Sequence, residues 1–79
     1  MDRLDALRLF IRAAETGSFS RAAAEAGVGQ PAASRVISAL EAHFSARLFH
    51  RTTRRLNLTE AGVLALEQAR QVIDAADQM

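Results

Sequence analysis

The residues with the most evident chemistry are ten basic side chains, all of them arginines. Residues 29–55 hold five of these arginines and only one acid, Glu41, so this segment carries a charge of +4. The remaining residues hold five arginines and eight acids, a charge of −3, and the total is +1. Guanidinium groups pair readily with phosphates. The segment therefore predicts a local cationic face for a polyanion, with a solvated charged face as the ordinary alternative.

Other reactive groups are scarce in this sequence. It contains no cysteine, and its two histidines, His43 and His50, have no neighbours at the spacing of metal ligands or of a catalytic pair. We assign both histidines to surface or packing roles. The sequence therefore predicts no enzymatic activity, no cofactor and no metal site.

The length of 79 residues is enough for one domain. No apolar run approaches the roughly 20 residues that cross a bilayer, and the N-terminus lacks a secretory apolar region. We expect a soluble, cytoplasmic protein with no membrane partner.

Three helices are predicted in the first half of the chain. Apolar residues recur at helical spacing over residues 3–15, and Gly17 ends that helix. A short alanine-rich helix is expected over residues 21–26, ended by Gly27. A third helix is expected over about residues 30–44, because Pro31 fits a first turn.

The second half of the chain predicts a hairpin and a long helix. Apolar pairs at Leu48-Phe49 and at Leu56 and Leu58 flank a polar stretch, which is typical of a small two-stranded wing. Thr59 can then cap a helix that continues to the last residue. We divide the chain into residues 1–58, which hold the three helices and the wing, and residues 59–79, the last helix.

A short helix, a glycine turn and a second helix are the elements of the helix-turn-helix. Ala22 and Ala23 are small enough for a close helix crossing, Gly27 suits the turn, and Val28 can fill the junction. A generic three-helix bundle remains the alternative at this level of detail.

Five motifs in this order resemble the N-terminal domain of LysR-type transcriptional regulators over nearly the whole chain. They are Ser18-Phe19-Ser20-Arg21-Ala22-Ala23, Val28-Gly29-Gln30-Pro31-Ala32-Ala33-Ser34-Arg35, Ile37 with Leu40-Glu41, Leu48-Phe49 with Arg51, and Leu58-Thr59-Glu60-Ala61-Gly62. The resemblance implies a mainly α fold, a winged helix-turn-helix followed by a long linker helix. It also implies sequence-specific binding of double-stranded DNA in bacterial transcription regulation.

The chain departs from the family pattern at several positions. Gly29 stands where serine is common, so the third helix loses a side-chain cap, and Ser45 stands where glycine is frequent. Ala26 and Ala33 replace larger apolar residues that are common in the family. Val36 occupies a position that is often polar, where it can either touch DNA or pack.

The resemblance implies that the third helix enters the major groove and that the arginine-rich wing, residues 51–55, meets the minor groove. Arginine can pair bidentately with guanine and glutamine with adenine. Arg54 is the best candidate for the minor groove. The candidate DNA-binding residues are Ser18, Ser20, Gln30, Pro31, Ser34, Arg35, Ser38, Arg51, Thr52, Arg54 and Arg55.

Structural roles remain open for several of these residues. Ser18 and Ser20 can cap a helix instead of holding phosphates, or do both. Arg35 can contact phosphate or solvent, Gln30 can be an exposed helix-start residue, and Arg51 can form an internal salt bridge.

The last helix carries an apolar stripe for which we expect no remaining core within one chain; it consists of Ala61, Ala65, Ala69, Val72, Ile73 and Ala76. The resemblance implies that it pairs with a second subunit, so that a homodimer reads a palindromic operator. The candidate interface residues are Leu64, Leu66, Ala69, Val72, Ile73 and Ala76. A small-molecule effector is expected only in a C-terminal domain that this sequence does not contain.

Two alternative functions remain at this stage. Another winged-helix regulator, such as the molybdate-responsive kind, shares a similar N-terminal module. A helical protein-interaction module that binds no DNA is the second alternative, although the charge distribution and the basic wing argue against it.

Overall fold

Four helices and one two-stranded antiparallel sheet make up the fold, in a computed structural model that describes residues 2–51 and 56–79. The side chain of Arg51 is also outside the description. The elements are α1 (Arg3–Thr16), α2 (Phe19–Ala26), α3 (Gln30–Phe44), β1 (Phe49–Arg51), β2 (Leu56–Leu58) and α4 (Glu60–Asp77). The predicted mainly α, winged helix-turn-helix architecture is confirmed. Within the described residues, no helix is both long and apolar enough to span a membrane.

Side chains cap three of the four helix N-termini. The Asp2 carboxylate accepts from the Asp5 amide at 2.8 Å, and Thr59 Oγ1 accepts from the Gly62 amide at 2.9 Å. Ser18 Oγ accepts from the Arg21 amide at 3.1 Å, so α2 begins at Phe19, two residues before the predicted start. Gly29 provides no side-chain cap for α3, as expected from its residue type.

The helices α1, α2 and α3 each end on a residue in the left-handed conformation. Gly17 and Gly27 adopt φ angles of 71° and 73°, which glycine accepts without a Cβ penalty. Ser45 adopts a φ of 56°, where a residue with a Cβ pays about 1 kcal/mol. The family preference for glycine at this position thus has a direct conformational cause.

Three phenylalanines from different elements form the centre of the core. Phe49 of β1 meets Phe10 of α1 and Phe19 of α2 edge to face, with ring centroids 5.6 Å apart in both pairs. Phe10 and Phe49 are fully buried, whereas Phe19 and Phe44 pack half-buried against the core. All four phenylalanines are core residues, as predicted.

The apolar stripe of α4 is largely part of this core. Ala65, Ala69 and Ile73 are buried, because α4 packs along α1 within the same chain. The expectation that the stripe has no core within one chain is therefore wrong for these three residues. Arg8 Nη2 and the Asp77 carboxylate, 2.6 Å apart, link α1 to the end of α4.

The base of the wing is attached to three other parts of the fold. The strands pair with Phe49 opposite Leu58, and the Leu56 amide donates to the Gly17 carbonyl at 3.4 Å. Just before β1, the Leu48 amide donates to Glu41 Oε2 at 2.9 Å and the Leu48 carbonyl accepts from the Thr59 amide at 3.0 Å. The wing strands are thus fixed relative to α3 and to the start of α4.

Candidate nucleic-acid interface

The helix-turn-helix is packed as its small residues predict. Ala22 and Ala23 of α2 are buried, and so are Ala33 and Ile37 of α3. The Val28 amide donates to the Ala23 carbonyl at 3.0 Å, and its half-buried side chain packs against the core. The predicted roles of these residues in seating α3 are confirmed.

One face of α3 stays outside the core and carries the predicted polar residues. Four candidates on this helix are exposed and Ser34 is half-buried; the exposed ones are Gln30, Pro31, Arg35 and Ser38. Their spacing of three to four residues places them on one side of the helix. Val36 instead packs half-buried against the core, which favours the packing alternative for this residue. We call the set Gln30, Pro31, Ser34, Arg35 and Ser38 the α3 face.

The two serines at the start of α2 have different surroundings. Ser18 is half-buried and its hydroxyl caps α2, so its capping role is shown. Ser20 is exposed, and its Oγ donates to Gln30 Oε1 at 3.2 Å. The structure therefore joins two predicted site residues across the turn between α2 and α3.

Among the described residues, three of the five arginines outside residues 29–55 lie in ion pairs with carboxylates: Arg8, Arg12 and Arg70. Arg12 pairs with Glu25 at 2.6 Å and with Glu15 at 2.8 Å, while Arg70 lies 3.2 Å from Glu15. The hydrogen bonds from Arg12 lower the pKa of both Glu15 and Glu25. These carboxylates stay ionised well below neutral pH, so the ion pairs persist under physiological conditions.

Arg35 is placed differently from these paired arginines. It is exposed on the α3 face, and no carboxylate among the described residues lies within ion-pairing distance of its guanidinium. Arg47, also in the cationic segment, lies 3.5 Å from Glu41. The Arg35 side chain is thus available to an anionic or hydrogen-bond-accepting partner.

The predicted wing contacts are only partly within the described residues. Arg51 pairs with Leu56 through the backbone of the hairpin. Its side chain, together with Thr52, Arg54 and Arg55, lies outside the described residues. Their DNA contacts stay predictions.

Two exposed residues next to candidate positions on their helices were not among the sequence candidates. Ala42 is exposed four residues after Ser38, so helical spacing extends the face by one turn. Arg21 is exposed in the first turn of α2, directly after Ser20. Helical spacing alone could have identified Ala42 as a candidate. Identifying Arg21 depended on knowing that α2 begins at Phe19.

The six candidate interface residues of α4 separate by burial. Leu64 and Val72 are 63% and 45% exposed, and Leu66 and Ala76 are half-buried. Ala69 and Ile73 are only 2% and 7% exposed. These two are core residues of a single chain, although Ala69 also lines a groove beside Val72, and their place in a dimer interface stays a prediction.

A family comparison identifies the helix-turn-helix region. Residues 4–63 match the family model described as a bacterial regulatory helix-turn-helix protein of the lysR family. The chain is 46% identical over 77 residues to the HTH-type transcriptional regulator BlaA of Streptomyces cacaoi, covering 98% of this chain and 24% of BlaA. It is also 46% identical over 74 residues to the SDS degradation transcriptional activation protein of a Pseudomonas species, again covering 24% of that protein. The chain thus spans about a quarter of the length of these relatives.

Solved structures with the same fold include complexes with DNA. The CbnR DNA-binding domain bound to DNA has a TM-score of 0.90 at 37% identity, covering 99% of this chain and 88% of that one. The BenM DNA-binding domain on the catB site 1 DNA has a TM-score of 0.90 at 33% identity, covering all of this chain and 87% of that one. The family match, the shared fold and the exposed α3 face agree with one another. This chain belongs to the lysR family of bacterial regulatory helix-turn-helix proteins and is a DNA-binding domain of the LysR type.

Proposed function

We propose that this domain reads a specific double-stranded operator, with α3 in the major groove and the wing, residues 51–55, at the minor groove. The observation that carries the proposal is the α3 face, a polar surface on a helix whose opposite side is locked into the core. A helix packed in this way presents its side chains to base edges in a fixed register. The DNA complexes formed by the CbnR and BenM domains support this choice of partner.

Direct reading of bases falls to the polar residues of the α3 face. The Arg35 guanidinium can donate two hydrogen bonds to the O6 and N7 atoms of guanine. Ser34 and Ser38 can donate or accept, and Pro31 offers an apolar contact. The lack of a carboxylate partner for Arg35 among the described residues supports a contact in the complex.

Phosphate contacts belong to α2 and the wing in this proposal. Ser18 and the first amides of α2 lie where a helix N-terminus can hold a phosphate. The Ser20 hydroxyl, beside them, donates to Gln30 and faces α3. Arg51, Thr52 and Arg55 would contact phosphates beside the wing, and Arg54 would reach into the minor groove. These contacts position the domain, whereas α3 supplies the sequence selectivity.

We further propose that residues 59–79 act as a linker and dimerisation helix, so that two copies read a palindromic operator. Leu64 and Val72 support this role because they are large apolar side chains exposed on α4. Val72 also lines a groove of about 600 Å³ between α1, α3 and α4, together with Leu7, Val36 and Phe44. A second copy of the chain is the occupant that we propose for this surface.

A charge placed on the exposed side of α4 should weaken the dimer. We expect the double variant Leu64→Glu/Val72→Glu to sediment as a monomer, because burying two carboxylates in an apolar interface is costly. Gln71→Glu is the matched control, since Gln71 is an exposed neighbour that lies outside the groove. A double variant that sediments as a dimer like the unmodified chain would contradict this interface.

The greater length of the relatives supports a further part of the proposal. Since the chain corresponds to about a quarter of each relative, we propose that a small-molecule effector acts through a C-terminal domain of the complete regulator. The domain itself would need neither cofactor nor catalysis for its role. Because its target is bacterial DNA, we expect it to act in the cytoplasm.

Selection of bound sequences from random duplex DNA tests the proposed function. The expected result is a single enriched motif made of two half-sites related by a two-fold axis. If the bound duplexes share no common sequence, the proposal of sequence-specific binding is contradicted. If they share a motif without two-fold symmetry, the proposal that two copies bind as a symmetric dimer is contradicted.

A further inference from the structure

A hydrogen bond connects the two helices of the helix-turn-helix at the proposed DNA surface. Ser20, in the first turn of α2, donates from its Oγ to Oε1 of Gln30, the first residue of α3, at 3.2 Å. Both side chains are exposed, so the bond contributes to no buried polar network. Its clearest physical effect is on the orientation of the Gln30 amide.

A glutamine amide has two chemically different ends. The carbonyl oxygen only accepts hydrogen bonds, and the amino group only donates them. When Oε1 is held by the Ser20 hydroxyl, the amino group on Nε2 points to the other side. No other side-chain hydrogen bond of Gln30 occurs among residues 2–51 and 56–79. The orientation of its donor therefore depends on Ser20.

We propose that Ser20 is a positioning residue for base recognition, fixing Gln30 as a hydrogen-bond donor toward the DNA. The inference rests on the proposed function, in which the α3 face enters the major groove. With its donor presented, Gln30 selects a base with a major-groove acceptor, such as guanine or thymine, in preference to pairing bidentately with adenine. Adenine pairing also needs Oε1 to accept from adenine N6, and the bond from Ser20 already uses one of the two lone pairs of that atom and fixes its direction.

The restraint matters because a glutamine side chain has three rotatable bonds. An unrestrained side chain loses rotamer freedom when it binds, and it can also turn its amide over to suit another base. The Ser20 hydroxyl removes part of this freedom before DNA arrives. Loss of the hydroxyl should therefore reduce selectivity at one base position more than it reduces binding to DNA in general.

The experiment is a binding-site selection followed by affinity measurements on the selected and substituted duplexes. We expect Gln30→Ala to reduce the preference at one position of each half-site by about tenfold. Ser20→Ala should reduce the preference at that same position by a smaller factor, about threefold, with an unchanged salt dependence. Ser20→Thr retains the hydroxyl and should restore the preference.

Two further variants separate positioning from other roles. Adding Ser20→Ala to Gln30→Ala should cause no additional loss, because the effect of Ser20 passes through Gln30. Gln30→Glu removes the donor and keeps an acceptor, so its selected base should change to one with a donor, such as cytosine. Thermal melting checks that each variant is folded, and we expect little change because both positions are exposed.

The following results would contradict the positioning role of Ser20 or the function on which it rests. An equal loss for all sequences in Ser20→Ala would make Ser20 a phosphate contact and overturn the proposal. An unchanged selection in Ser20→Ala, or an unchanged base in Gln30→Glu, would overturn it as well. If the unmodified chain selects no sequence, the proposed function itself has failed, which is a different result from any of these.

Discussion

Replacing Gly62 by alanine is expected to lower the free energy of unfolding by about 3 kcal/mol, the high end for inserting an atom into a packed site. A Cβ at this position would overlap the Leu48 carbonyl oxygen and lie 3.0 Å from Leu58 Cδ2. The oxygen belongs to the backbone, so it cannot move aside as a flexible side chain could. Chemical denaturation, read at the transition midpoint, measures the change.

The contact at Gly62 sets the position of the wing as well as the stability. The same Leu48 carbonyl accepts from the Thr59 amide at 3.0 Å, so the start of α4 and the segment before β1 share one close approach. Pushing them apart would break this bond and displace the hairpin. A chain of 79 residues has a total stability of roughly 4–12 kcal/mol, so the loss is a large part of it.

Gly29→Ala is the matched control for this prediction. A Cβ on Gly29 meets only Pro31 Cδ, at 3.7 Å, and the backbone there has an ordinary φ of −74°. We expect a change within about 0.5 kcal/mol, because the loss of a favourable cap residue is offset by reduced freedom of the unfolded chain. If Gly62→Ala unfolds at the same denaturant concentration as Gly29→Ala, α4 does not rest on the Leu48 backbone.

The order of the elements could be predicted because each carries its own local signal. Glycines after apolar periods end α1 and α2, Pro31 fits the first turn of α3, and Thr59 caps α4. The start of α2 was predicted too late. Ser18 and Ser20 are both good capping residues, and the sequence could not decide which of them accepts the first amide.

The sequence did not reveal which surface covers the apolar stripe of α4. Helical spacing shows that Ala69 and Ile73 share a face, yet it does not show whether α1 or a second chain covers that face. In the structure α1 covers it, and the exposed apolar residues Leu64 and Val72 lie beside it. Interface assignments from one helix therefore need the packing of the remaining helices.

The residues of the α3 face could be predicted from the sequence, whereas the hydrogen bond from Ser20 that holds Gln30 could not. Gln30, Arg35 and Ser38 follow from helical spacing and from the family motif. The bond from Ser20 to Gln30 joins residues ten positions apart on two helices, and it depends on the angle at which those helices cross. Short sequence patterns do not determine the crossing angle of α2 and α3.

Removing the Arg35 side chain should cause the largest loss of specific DNA binding among substitutions on the α3 face. We expect Arg35→Ala to weaken binding to the selected operator by about 1–3 kcal/mol and to relax the preference at one base position. The reason is that guanidinium recognition of guanine uses two parallel hydrogen bonds, which solvent or a neighbouring side chain does not replace. Titration of matched and single-substituted duplexes at one fixed salt concentration measures both quantities.

Two arginine controls make this result interpretable. Arg35→Lys keeps the charge and loses the bidentate geometry, so it should retain the salt dependence and still lose the base preference. Arg70→Ala removes an arginine that is already paired with Glu15 at 3.2 Å, and operator affinity should change by less than about twofold. An Arg35→Ala variant with reduced salt dependence and intact selectivity would assign Arg35 to a phosphate. Base selectivity would then have to come from the rest of the α3 face, because a phosphate contact carries no direct sequence information.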